Sequence, residues 1–233
     1  MRIGPSIGIP GDAAAAGGFS PAQLSGLVLW LRADLGITLN GGNVSAWADQ
    51  SGLGNHITQG TASLQPLFVA SGPNGKPAIR PDGADDFLKG TFTLSQPYTV
   101  FMPFKWLTLT ASGAQDVAFD GSTANAFVVV DNGPRTAIFA GSTLSYAAIP
   151  ENGAYVIFGF GVNGASSFIR SAGSQVASGA AGGNNPGGLT LGALTGGTRA
   201  GNFETPEIII YNRIPSAGEI AAIENYLKIR YAL

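Results

Sequence analysis

Phe203-Glu-Thr-Pro-Glu-Ile-Ile-Ile-Tyr-Asn-Arg213, followed by Ile214-Pro-Ser216-Ala-Gly-Glu219-Ile-Ala-Ala-Ile-Glu-Asn-Tyr-Leu-Lys-Ile-Arg-Tyr231, decides how the chain is read. Residues 204–211 have the length and composition of a strand, and Asn212 to Pro215 make a turn. Ser216 and Glu219 then form an S-x-x-E capping box, in which each side chain satisfies the other residue's free amide. Ile220, Ile223 and Leu227 recur at helical spacing with Tyr226 beside them, which predicts one apolar stripe. Lys228 and Arg230 lie where cations favour the helix dipole. A strand, a turn and a capped helix that packs its stripe onto a sheet are expected.

Upstream, strands alternate with turns. Strands are predicted at residues 98–106, 117–120, 126–131, 136–140, 154–162, 166–171 and 189–194, separated by breakers such as Asn163-Gly164 and Asn184-Asn-Pro-Gly-Gly188. That spacing argues for an antiparallel sandwich. Leu27-Val-Leu-Trp-Leu31 is apolar on both faces and is expected to be a central strand. Pro103 falls inside a strand pattern and must sit at an edge or a bulge, since it cannot donate to a ladder. Ser20-Pro21-Ala-Gln23 begins the domain with a second capping box, and Asn40-Gly-Gly-Asn43 is a hairpin signal.

The chain has 233 residues and no cysteine, so it can bury a full core and carries neither disulfides nor thiolate metal sites. Only 11% of its residues are charged, against about 25% in an ordinary domain. Its net charge of −2 supplies no basic field for nucleic acid. No apolar run approaches the ~20 residues of a membrane-spanning helix. A weakly charged surface repels its neighbours little and suits close packing in an assembly.

Residues 1–18 differ from the rest. Ile3, Ile7 and Ile9 alternate with Gly, Pro and Ser, which prevents a helix or a long strand. The stretch also lacks the continuous apolar region of about 7–15 residues that a secretory signal needs, so export is not expected. A flexible N-terminal arm over 1–18 is expected, followed by one β-sandwich domain over 19–233. The three isoleucines are the candidate contacts with a partner.

Chemistry-bearing residues are sparse. His56 is the only histidine, so any Ser-His-Asp device would have to use it. Glycosidases need two carboxylates facing one cleft. Glu204 and Glu207 are three apart and fall on opposite strand faces, and Asp116 and Asp120 have only Val117, Ala118 and Phe119 for company. No catalytic residue is expected and the chain is read as non-enzymatic. Asp82, Asp85 and Asp86 form the densest acidic cluster. It reads either as a tight turn with Gly83 at positive φ or as oxygen ligands for calcium, the one cofactor to consider. Among the tryptophans, Trp30 is expected in the core, and Trp106 is the candidate exposed platform for a sugar. The expected core comprises Trp30, Trp47, Ile79, Phe87, Phe127, Ile209 and Leu227.

Trp47-Ala-Asp-Gln-Ser-Gly-Leu-Gly-Asn-His56, Gly75-Lys-Pro-Ala-Ile-Arg-Pro-Asp-Gly-Ala-Asp-Asp-Phe-Leu88 and the closing strand and helix together resemble the LamG-like branch of the concanavalin A-like superfamily. The resemblance covers roughly residues 19–233. It implies a two-sheet jelly roll with a short C-terminal helix, with Trp47 packed inward. It departs from the pattern at Pro81, where an aromatic usually precedes the Asp-Gly. Relatives bind calcium at a sandwich rim through ligands from separate loops. Single LamG-like domains with short Gly/Pro-rich leaders resemble tailed-phage virion proteins. The leading expectation is therefore a non-enzymatic virion component assembled in the host cytoplasm. It would decorate the capsid or attach to the tail, multimeric and held to other virion proteins by its arm. The alternative is a lectin-like module that binds a surface glycan.

Overall fold

In the computed structural model the described residues are 18–109, 115–123, 126–131, 135–148 and 152–233, with the backbone alone for 127–131. In chain order the strands are β1 (Leu27–Arg32), β2 (Ile37–Asn40), β3 (Asn43–Trp47), β4 (Ile57–Thr58), β5 (Leu67–Val69) and β6 (Ala78–Arg80). Next come β7 (Leu88–Thr91), β8 (Tyr98–Thr108), β9 (Asp116–Asp120), β10 (Phe127–Asp131), β11 (Arg135–Phe139) and β12 (Thr143–Tyr146). The last are β13 (Val156–Val162), β14 (Ser167–Ser171), β15 (Ser174–Gly179), β16 (Gly188–Leu191), β17 (Asn202–Glu204) and β18 (Glu207–Tyr211), before the helix α1 (Ala217–Tyr231).

One sheet runs β1-β18-β8-β13-β14-β15, with β17 also on β8, and the other runs β12-β11-β10-β9-β16-β7-β4-β3-β5-β6, with β2 on β3. The ladders within both are antiparallel. The main core lies between the sheets. It joins Leu29, Val100, Phe104, Phe158 and Ile208 from the first sheet to Val44, Trp47, Phe119 and Leu191 from the second. The chain is an all-β antiparallel sandwich closed by one helix, as the turn spacing predicts. Among the described residues no helix is long and apolar enough to cross a membrane.

α1 covers the outer face of the first sheet. Ile223, Tyr226 and Leu227 pack there on Phe101, Ile157, Ile209 and Tyr211 in a second apolar cluster. Its start is capped as read: the Glu219 amide donates to Ser216 Oγ at 3.4 Å and the Ser216 amide donates to Glu219 Oε2 at 2.7 Å. The first capping box also forms, on a single 3-10 turn over Pro21–Gln23.

Several local expectations are corrected. Residues 27–31 are not in a central strand, because β1 lies at the end of its sheet. Both of its faces are nonetheless apolar, since Leu29 and Leu31 join the inter-sheet core while Leu27 and Trp30 pack toward α1. Trp30 is accordingly half-buried, as is Phe87, while the Phe127 side chain lies outside the described residues. Pro103 sits in β8, between β18 and β13, so of the edge and the bulge it is the edge that is excluded. Its carbonyl accepts from Thr205 Oγ1 at 2.9 Å, so its missing N–H also points to Thr205-Pro206. There the segment read as one strand over 204–211 breaks into β17 and β18. The proline is tolerated because its partner strand is interrupted opposite it.

Candidate functional site

The two closing carboxylates lead separate lives, as their spacing predicts. Glu204 is 2% exposed and ends β17. It binds Lys105 at 2.7 Å, accepts the Tyr155 hydroxyl at 2.6 Å, and pairs with Arg80. Burial raises the pKa of this carboxyl, but the bonds from Lys105, Tyr155 and Arg80 outweigh it and hold the group below the usual carboxylate range. Glu207, fully buried, faces α1 and accepts from Trp30 Nε1 at 2.6 Å, Tyr226 at 2.9 Å and Tyr231 at 2.7 Å. Among the described residues neither is arranged with a second carboxylate across a cleft.

Asp120 corrects the expectation that it lacks polar company. It is 0% exposed and accepts from the backbone amides of Gly121, Ala126 and Thr195 at 2.7, 3.0 and 2.8 Å. The partners come from loops, not from its own strand. His56 braces a loop: its Nδ1 accepts from the Asp49 amide at 2.9 Å. Asp49 in turn accepts from the amides of Trp30, Ser51 and Asn55 at 2.9, 2.8 and 3.0 Å. The Trp47-x-Asp49-x-Ser51-Gly52 stretch is thus a self-capped turn anchored to β1.

Asp82, Asp85 and Asp86 do converge, with ligand oxygens within 4.8 Å of one another. Hard oxygens at that spacing fit calcium in kind. Two of them already serve the backbone. Asp82 Oδ1 accepts from the Ala84 amide at 2.8 Å, and Asp86 Oδ2 accepts from the Asp82 amide at 3.1 Å. Gly83 takes φ of 83° as a tight turn requires. Burial, then the neighbouring Asp82 charge, pushes the Asp86 carboxyl up to about 6.

Trp106 is not an exposed platform. It is 1% exposed and stacks edge-on against Phe104 and Phe203, with ring centroids 4.9 and 5.6 Å away. Strand β8 runs on past it to Thr108, and β17 lays Phe203 opposite it. Gly201 makes room, since a Cβ there would come within 2.7 Å of the indole. Ile3, Ile7 and Ile9 lie outside the described residues.

The sequence reading does not anticipate one concave feature of the described surface. A cavity of about 330 Å³ opens between α1 and the β14–β15 hairpin, lined by Tyr155, Ala172, Gly173, Glu224, Asn225 and Lys228 among others. Its volume falls within the roughly 300–1,000 Å³ of small-ligand sites. Ala221, Glu224, Asn225 and Lys228 recur at helical spacing, forming a mainly polar stripe beside the apolar one. Glu224, 8% exposed, is clamped by Arg170 Nε at 2.6 Å and Nη2 at 3.0 Å. The Tyr155 hydroxyl is committed to Glu204, and Lys105 Nζ stands 4.6 Å from its ring centroid. What Tyr155 can offer the cavity is therefore ring surface. The hairpin turn places Ala172 at φ 50° and Gly173 at φ 84°, the two positive angles of a two-residue turn. An alanine there costs about 1–2 kcal/mol relative to an ordinary backbone conformation.

Comparison by sequence finds no matching family model and no matching curated protein. Comparison by structure finds β-rich relatives. The Trypanosoma rangeli sialidase solved with sialic acid matches at 12% identity and a TM-score of 0.59, over 88% of this chain and 33% of that one. The chain thus spans about a third of that enzyme's length. The binding domain of Paraclostridial Mosquitocidal Protein 1 matches at 13% identity and a TM-score of 0.62, over 88% of this chain and 53% of that one. Domain 4 of AbnA, a GH43 extracellular arabinanase from Geobacillus stearothermophilus, solved with arabinotriose, matches at 16% identity and a TM-score of 0.58. That match covers 85% of this chain and 98% of the domain. At such identities the likeness establishes the shared β-sandwich fold.

Proposed function

We propose that this chain is a carbohydrate-binding β-sandwich module that does not cleave its ligand. The match to AbnA domain 4 carries the reading, because it spans 98% of a domain solved with arabinotriose. A half-open cavity with an aromatic ring, an amide and a clamped carboxylate supports it, since sugars present hydroxyl edges and apolar faces together. The occupied carboxylates Glu204 and Glu207 support binding without hydrolysis. The reading takes precedence over a structural role in a virion. A virion that carries the module through its N-terminal residues stays compatible with it and rests on the sequence resemblance. Screening the full chain against immobilised glycans tests the proposal. Binding to a restricted set of them is expected, and no binding across plant, bacterial and animal glycans overturns it.

A further inference from the structure

We infer that the cavity between α1 and the β14–β15 hairpin is the saccharide subsite, and that it selects a sugar carrying a carboxylate. The inference rests on the carbohydrate-binding reading and adds the place and the ligand class.

The first observation is charge. Glu224 lies against the sheet and is neutralised by the two-pronged Arg170 contact, so it does not repel an anion. Its remaining lone pairs can accept sugar hydroxyls. Lys228, one helical turn further on, is exposed and makes no ion pair with any described residue. Of the charged side chains that line the cavity, Glu224 is neutralised by Arg170 and Lys228 is not neutralised, which leaves a positive excess there. The chain as a whole carries a formal net charge of −2, so this positive excess is local. An acidic ligand gains from it and a neutral one does not.

The second observation is rigidity. Tyr155 is held by Glu204 and Lys105, Glu224 by Arg170, and Arg170 by the Gly173 carbonyl at 2.8 Å. The Ala172 amide donates to the Ile157 carbonyl at 3.0 Å, fixing the hairpin tip to the neighbouring strand. Groups fixed before the ligand arrives lose little entropy on binding. Lys228 is the exception and supplies the adjustable charge. A uronate fits this set. Its ring face meets Tyr155, its hydroxyls meet Glu224 and Asn225, and its carboxylate meets Lys228.

Calorimetric titration of the full chain with trigalacturonate and with neutral arabinotriose tests this at low and high ionic strength. Trigalacturonate is expected to bind more tightly, and added salt to weaken it. Lys228→Met should weaken trigalacturonate about fivefold, the size of one partly exposed charge contact, and arabinotriose distinctly less. Ala221→Trp fills the cavity from an exposed helix position and should abolish binding of both at an unaltered melting temperature. Saccharide binding that survives Ala221→Trp places the site elsewhere and overturns the inference while the carbohydrate reading stands. Equal binding of the two trioses, insensitive to Lys228→Met, overturns the acidic preference. Failure of both trioses together with a blank glycan screen removes the reading and the inference with it.

Discussion

The Tyr231 hydroxyl donates to Glu207 Oε2 at 2.7 Å and so ties the last turn of α1 to the first residue of β18. Arg230 Nε lies 3.2 Å from the same oxygen, while Trp30 and Tyr226 donate to the other. Burial pushes the Glu207 carboxyl up, and this ring of donors works against that push. A buried carboxylate is tolerable only when its lone pairs are satisfied. Tyr231→Phe and Tyr226→Phe are each expected to destabilise the chain by about 1–3 kcal/mol. Glu207→Ala, which strands the donors and leaves a void, should cost about 3–5 kcal/mol. Urea unfolding measures all three, and a neutral Tyr231→Phe would mean that the helix end is not held this way.

Leu227 has no exposed surface and anchors the apolar stripe of α1. Leu227→Ala should cost on the order of 2–5 kcal/mol, read as a lower denaturation midpoint. An unchanged midpoint would show that the helix does not pack on the sheet.

Trp106 and Gly201 form one packing unit. Trp106→Ala is expected to cost about 3–5 kcal/mol, and Gly201→Ala about 1–3 kcal/mol through overpacking against the indole. Circular dichroism melts of both variants measure this. A Trp106 variant that melts like the wild type would return the residue to the surface.

The raised carboxyl of Asp86 carries a pH dependence. Its folded-state value of about 6 exceeds the ordinary 3.8, so its contribution to stability is complete below the ordinary value. It is lost as the pH rises through about 6. Asp86→Asn should therefore melt above the wild type at neutral pH and converge with it as the pH falls below the ordinary 3.8. With carboxylates already capping the turn, added calcium is expected to leave the wild-type melting temperature unchanged. A rise that Asp86→Asn abolishes would instead establish a cation site.

No product release is expected on incubation with β-glucans, alginate, agar, arabinan or peptidoglycan. Release that a single Asp or Glu substitution abolished would make the chain an enzyme.

What the sequence revealed was local. The capping box at Ser216, the stripe through Leu227 and the strand around residues 98–106 are written in neighbouring residues, and the structure contains them. Strands β4 to β7 span only two to four residues each, too few to display a period. β15 (Ser174–Gly179) is mostly small and polar, and its place is set by pairing with β14. The Trp106 expectation and the edge alternative for Pro103 failed because neighbours remote in the chain, Phe203 and Thr205, define those environments. The cavity was half legible. The polar stripe of Ala221, Glu224, Asn225 and Lys228 stood beside the apolar one, but its opposite wall comes from β13 and a hairpin tip.

One wall of the cavity is the helix itself, and the helix is seated through Glu207, the Glu224–Arg170 clamp and a handful of apolar side chains. Anything that fills the space between α1 and the hairpin must find the helix docked, and while it stays there it opposes undocking. Occupancy and helix seating are thus two readings of one equilibrium. Slower hydrogen exchange along α1, with no change in the far sheet, would signal a bound ligand before its identity is known.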